Sequence, residues 1–200
     1  SFSLWLWARY RLRGQRWPVS LHRALREEFA GINSDQLAAQ LQGFGVGSLA
    51  YGETPLATCY ELLRDLPRCT RILDLGSGRG VPVLVAACLG FSTPVGLEFI
   101  ERHVEGAGRV AHTLGLDARF VRGNFEELEW PLADLLLVSS SAFSKPLRER
   151  LEKRFLACLQ PGVQLITQDW VLPTPFRLLR RQLLPVSWGT AEFQHYILDS

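Results

Sequence analysis

Two hundred residues, 47% of them hydrophobic, suffice for one domain with a sizeable core. Charged residues make up 21% and the formal net charge is only +2, which excludes a disordered chain and gives no global electrostatic reason to expect a specific nucleic-acid partner. Cys59, Cys69, Cys88 and Cys158 form no Cys-x-x-Cys pair and have no His at metal-ligand spacing, so free thiols in a reduced, cytoplasmic setting and no metal site are expected. No apolar run approaches the ~20 residues of a membrane span.

Residues 1–18, SFSLWLWARYRLRGQRWP, interleave Trp5, Trp7 and Trp17 with Arg9, Arg11, Arg13 and Arg16. Two readings stand. One is contact with a membrane surface, where rings sit at headgroup level and arginines meet anionic lipid. The other is an arm packed on its own domain. The chain holds no Met, so a segment upstream of Ser1 is expected, and a membrane anchor there would make 1–18 its flank. Helical spacing of Leu21, Ala24, Leu25 and Phe29, then of Leu37, Ala38 and Leu41, predicts two helices over 20–42 broken at Gly31. Gly43, Gly45, Gly47 and Gly52 mark a loop able to fold over a ligand. Residues 1–50 thus form an arm, helices and a glycine-rich loop.

A helix is predicted from Glu53 or Thr54 to Leu66, with Pro55 in its first turn. From Arg71 onward strands and helices alternate. Strands are expected at Ile72–Leu75, Pro94–Phe99, Arg119–Arg122, Asp134–Ser139 and Val163–Thr167. Helices are expected from Val81 to Leu89, up to about Thr113, and from Lys145 to Leu159. LLPVSWGTAEFQHYIL closes the chain as a hairpin turning near Gly189. Such alternation implies a mostly parallel sheet with helices on both faces.

The sharpest signal is Asp74-Leu75-Gly76-Ser77-Gly78-Arg79-Gly80, between a strand and a helix. Glycines there let the backbone turn sharply and let a ligand lie on bare main chain. In the dinucleotide fingerprint G-x-G-x-x-G, counted from Gly76, the third glycine falls on Val81. The observed D-x-G-x-G-x-G instead resembles motif I of class I methyltransferases. That resemblance implies a Rossmann-like fold with a seven-stranded sheet ending in an antiparallel hairpin, residues 51–200 as the binding domain, and S-adenosyl-L-methionine as cofactor. An acid at the strand end, Asp74, suits a ligand carrying an ammonium and a sulfonium and would repel a diphosphate. Glu98, ending the second strand, is placed to accept from both ribose hydroxyls. Asn124 offers a polar group to adenine. Phe125 packs either on its ring or in the core.

Tyr51-Gly52-Glu53-Thr54, then a helix, DLGSGxG, VGLE and RGNF, together resemble the non-SET histone-lysine methyltransferases, the disruptor-of-telomeric-silencing family. The likeness runs over about Tyr51 to Gln168. It implies that Tyr51, Glu53 and Thr54 cover the methionine end of the cofactor, beside Gly76, Ser77, Gly78 and Gly80, and that a protein lysine is the acceptor. Paired asparagines of that family are Ser139-Ser140 here, a glutamine is Val81, an adenine-contacting acid is Asn124, and the basic nucleosome-gripping tail has no counterpart. The group that methylates a lysine of a membrane-embedded ATP-synthase subunit shares DLGSGxG but lacks YGET.

Methyl transfer to a neutral amine asks for positioning and exclusion of water. Ser139 falls to the cofactor, Ser140 to orienting the amine, and Phe143 and Trp170 to walling the channel at the ends of strands four and five. Each also reads as structural. His103 and His112 read as packing residues on a helix. A small-molecule or lipid methyltransferase is one alternative. A regulatory domain that binds S-adenosylmethionine without catalysis is another.

Overall fold

The computed structural model describes residues 16–33, 53–68, 70–139 and 142–200. The expected second helix of 34–42, the glycine-rich loop, Tyr51 and Ser140 lie outside them, as do residues 1–15. Helix α1 is Trp17–Glu28 and α2 is Leu56–Leu63. Then follow β1 (Ile72–Leu75), α3 (Val81–Cys88), β2 (Val95–Glu98), α4 (Glu101–Leu114), β3 (Arg119–Arg122) and β4 (Leu135–Val138). The rest are α5 (Lys145–Cys158), β5 (Gln164–Gln168), β6 (Phe176–Val186) and β7 (Gly189–Leu198). These strands make a seven-stranded sheet in the order β3-β2-β1-β4-β5-β7-β6. All neighbours are parallel except β7, which runs antiparallel to both β5 and β6.

Strand alternation sorts the central apolar residues onto two faces. Ile72, Leu135, Leu137 and Ile166 pack with Leu63, Leu84 and Val110 of α2, α3 and α4. Leu73, Leu75, Leu136 and Leu165 pack with Leu147, Leu151 and Phe155 of α5. The strand order reverses between β1 and β4, the topological switch point at which open α/β sheets place ligands beyond the carboxyl ends of the strands.

Helix α1 starts three residues earlier than its apolar spacing suggests, because Pro18 occupies its first turn. It shares the domain core: Leu21 is fully buried, and Trp17 packs 6.4 Å from the Tyr60 ring. Trp17 is thus taken up by the protein's own core. Glu28 accepts from Arg102 at 2.6 Å and from Arg109 at 2.9 Å, tying α1 to α4. Helix α2 ends at Leu63 rather than Leu66. The terminal hairpin turns at Ser187–Trp188, one residue before Gly189, and β6 begins at Phe176, well ahead of the expected Leu183. No described helix is long and apolar enough to cross a membrane.

Gly80 caps α3 with φ +79°, and a Cβ there would meet Phe120 Cε1 at 2.5 Å and Ala107 Cβ at 2.8 Å. Gly80→Ala therefore combines a left-handed backbone with an overfilled contact. An unfolding free energy lower by about 2–4 kcal/mol is expected in urea denaturation. A loss below about 0.5 kcal/mol, typical of neutral surface changes, would show that Phe120 swings aside freely.

Candidate active site

β1 delivers Asp74 and Leu75 to its carboxyl end, and the chain then turns through Gly76, Gly78 and Gly80, all at positive φ. The amides of Gly76 and Ser77 both donate to the Leu97 carbonyl, at 2.9 and 3.0 Å, and Gly80 donates to the Ser77 carbonyl at 2.8 Å. Gly78 donates to Glu98 Oε2 at 2.7 Å. Four N–H groups of the turn are thus spent inside the protein. A diphosphate-binding loop would keep them for its ligand.

Asp74 is 1% exposed, and neither carboxylate oxygen has a hydrogen-bond partner among the described residues. Burial first, and the nearby Glu98 charge second, push its carboxyl up to about 8. Glu98 is buried as well. Burial raises it, while the amides of Ile100 and Gly78, at 2.8 and 2.7 Å, and that of Phe99 pull in the opposite direction. Three backbone donors still leave a carboxylate, which has about four acceptor positions, some capacity for a ligand. Burial also raises Glu53, against the opposing charge of Arg79.

Glu53, Thr54, Asp74, Gly76, Ser77, Gly78, Arg79, Val81, Pro82 and Ser139 line one cleft that opens to solvent. Thr54 Oγ1 lies 3.4 Å from Ser139 Oγ, bridging the approach to α2 and the end of β4. Above Gly76, the rings of Phe125 and Phe143 lie 5.7 Å apart, and a Cβ on Gly76 would touch both, at 3.7 and 3.8 Å. The cleft therefore combines carboxylates, hydroxyls and an aromatic wall, a set suited to a cationic ligand with an apolar ring.

Asn124 turns inward on its own loop: its amide nitrogen donates to Glu127 Oε1 at 3.0 Å and its oxygen accepts from the Glu126 amide at 3.0 Å. One amide hydrogen remains for a ligand. Trp170 takes the structural one of its two expected roles. It is 3% exposed, donates its indole N–H to Glu152 Oε1 at 2.9 Å and stacks 5.7 Å from Phe155. It packs β5 onto α5 and is a core residue, not a channel wall. His103 is a fully buried packing residue whose ring meets Phe29 edge-on. Tyr51 and Ser140 lie outside the described residues.

Arg79 occupies the variable position of the glycine motif, where the pattern specifies nothing. Its guanidinium sits 5.1 Å from the Phe29 ring, so the same turn that shapes the cleft also anchors the residue following α1.

No family model matches the chain, and no curated protein is similar to it in sequence. Solved structures are similar in fold. An RNA methyltransferase from Salinibacter ruber, in complex with S-adenosyl-L-homocysteine, superposes with a TM-score of 0.62 at 22% identity, over 74% of this chain and 94% of that one. Magnesium protoporphyrin IX methyltransferase from Synechocystis, with bound S-adenosylmethionine, gives 0.60 at 12% identity, over 90% and 91%. TrmN from Thermus thermophilus gives 0.60 at 22% identity over 72% of this chain, which spans 48% of that protein. The fold is the Rossmann-like fold of class I methyltransferases.

An unfolded aspartate titrates near 4. Asp74 holds its proton more tightly in the native state, so native stability falls as pH rises from about 4 to about 8 and stays flat above. In the ligand-free protein the Tm is expected to fall between about pH 5 and pH 8 on this account. Asp74→Asn, which keeps the shape and cannot ionise, should flatten that fall. Equal slopes for the two proteins would remove Asp74 as its source.

Proposed function

We propose that this chain is an S-adenosylmethionine-dependent methyltransferase whose acceptor is a protein lysine amine. The observation that carries the cofactor is Asp74: a carboxylate 1% exposed, without a described partner, beneath a turn whose own amides are spent. A buried carboxylate of this kind is costly unless a ligand satisfies it. A ligand with an ammonium group does so, and a diphosphate does not.

The surrounding residues fit the same molecule. Asp74 and Glu53 would hold its cationic methionine end. Glu98 retains acceptor capacity for ribose hydroxyls, Asn124 one amide hydrogen for adenine, and Phe125 an apolar face for the ring. When bound, S-adenosylmethionine supplies a methyl carbon activated by its sulfonium.

The protein's own work is positioning, exclusion of water and admission of the amine as a neutral base. Phe125 and Phe143 present apolar surface over Gly76, which disfavours an ammonium next to them. Ser139, 3.4 Å from Thr54, brings a hydroxyl to the end of β4. Ser140, the next residue, orients the incoming amine in this reading. The lysine acceptor is supported by Glu53 and Thr54 lining the cleft beside the glycine turn, as the likeness of Tyr51-Gly52-Glu53-Thr54 to the non-SET family implies.

Two measurements test the proposal. Glu98→Ala should weaken S-adenosylmethionine binding by about 10- to 100-fold in calorimetry, the ~1.5–3 kcal/mol of charged hydrogen bonds. Unchanged affinity would move the ribose elsewhere. Radiolabelled methyl transfer into a cell lysate with its membranes retained should leave label in a protease-sensitive band, on lysine. Label that is RNase-sensitive, or extracted into organic solvent, would replace the lysine with an RNA, a lipid or a small molecule. Tight binding with no label in any fraction would make the domain a non-catalytic binder.

A further inference from the structure

The C-terminal hairpin supplies no side chain to the cleft, yet its tip is fastened to it. Pairing between β5 and β7 stops at Gln168 and Phe193, while β6 and β7 continue together to Val186 and Gly189. The Ser187–Trp188 turn therefore projects beyond the carboxyl end of β5, on the same end of the sheet as the glycine turn. There the Glu53 amide donates to Ser187 Oγ at 3.1 Å, and the Ser187 amide donates to the Glu53 carbonyl at 3.3 Å. Thr58 Oγ1 donates to the Pro185 carbonyl at 2.6 Å, registering the hairpin on α2 a second time.

Both main-chain polar groups of Glu53 thus end on one residue 134 positions away. Little local structure competes for the job. Glu53 precedes α2, and Pro55, which caps that helix, has no N–H to give. Meanwhile Glu53 and its neighbour Thr54 line the cleft with Asp74 and Gly78.

We infer that Ser187 is a positioning residue of the cofactor site: its hydroxyl fixes the main chain of Glu53 and thereby aims the Glu53 carboxylate at the ligand. This rests on the S-adenosylmethionine reading above. Ser187 touches no ligand itself; it acts through Glu53.

The test is calorimetric binding of S-adenosylmethionine by the full chain and four variants. Ser187→Ala is expected to weaken binding by about 3- to 10-fold, the worth of one net hydrogen bond. Ser187→Thr, which keeps the hydroxyl, should restore wild-type affinity. In a Glu53→Ala background, adding Ser187→Ala should change affinity little, because the carboxylate it aims is gone. Failure of the wild-type chain to bind S-adenosylmethionine would overturn the functional reading itself. Binding by the wild type that is unchanged in Ser187→Ala, not restored by threonine, or weakened equally with and without the Glu53 carboxylate, would overturn the role of Ser187 and leave that reading standing.

Discussion

A carboxylate taken out of water must be neutralised, hydrogen-bonded or paired, and Asp74 is placed where the protein offers it none of these among the described residues. The backbone around it explains why. Three glycines at positive φ fold residues 76–80 so tightly that the amides of Gly76, Ser77, Gly78 and Gly80 turn onto the end of β2 and the turn itself rather than toward the acid. Holding its proton is the ligand-free solution; meeting a cation is the other. The remaining site residues are arranged around that unresolved charge, with Glu98 below the turn, Glu53 across the cleft and Arg79 tempering Glu53.

The same turn reaches outward. Phe120 and Ala107 leave room for Gly80 but not for a Cβ, and Ser77 lies against Gly96 so closely that a Cβ there would meet Ser77 Oγ at 2.6 Å. Arg79 leans on Phe29, which also receives Arg102 at 5.4 Å. The cleft, the neighbouring strands and the end of α1 are thus one packed unit. Interiors at this density transmit a side-chain change instead of absorbing it.

The parts legible in the sequence are those whose chemistry is local. D-x-G-x-G-x-G after an apolar strand specifies its own turn, and a carboxylate ending the next strand follows from the same repeat. The hairpin was only half legible. FRLLRRQ, the first seven residues of β6, shows no alternation because this edge strand is largely exposed, with Arg177, Arg180 and Arg181 between leucines. Trp170, following β5, reads from sequence either as a channel wall or as structural; an indole that finds Glu152 and Phe155 within reach is a core residue, and only the fold reveals that α5 is there to decide it. Ser187 carried no signal at all. A serine in a turn is commonplace, and its partner lies on the far side of the chain.

The strand order has a consequence for how the molecule is made. β7 lies between β5 and β6, so β6 leaves the ribosome with no strand to pair with and must wait for the segment that follows it. Its arginines, its bulge near Leu179 and Pro185 suit a strand that spends this interval unpaired, since each discourages pairing with other chains. Until β7 inserts, Glu53 has no Ser187 to hold it. The Glu53 side of the cleft is thus made well before the hairpin that braces it, and it is fastened only once β7 has arrived.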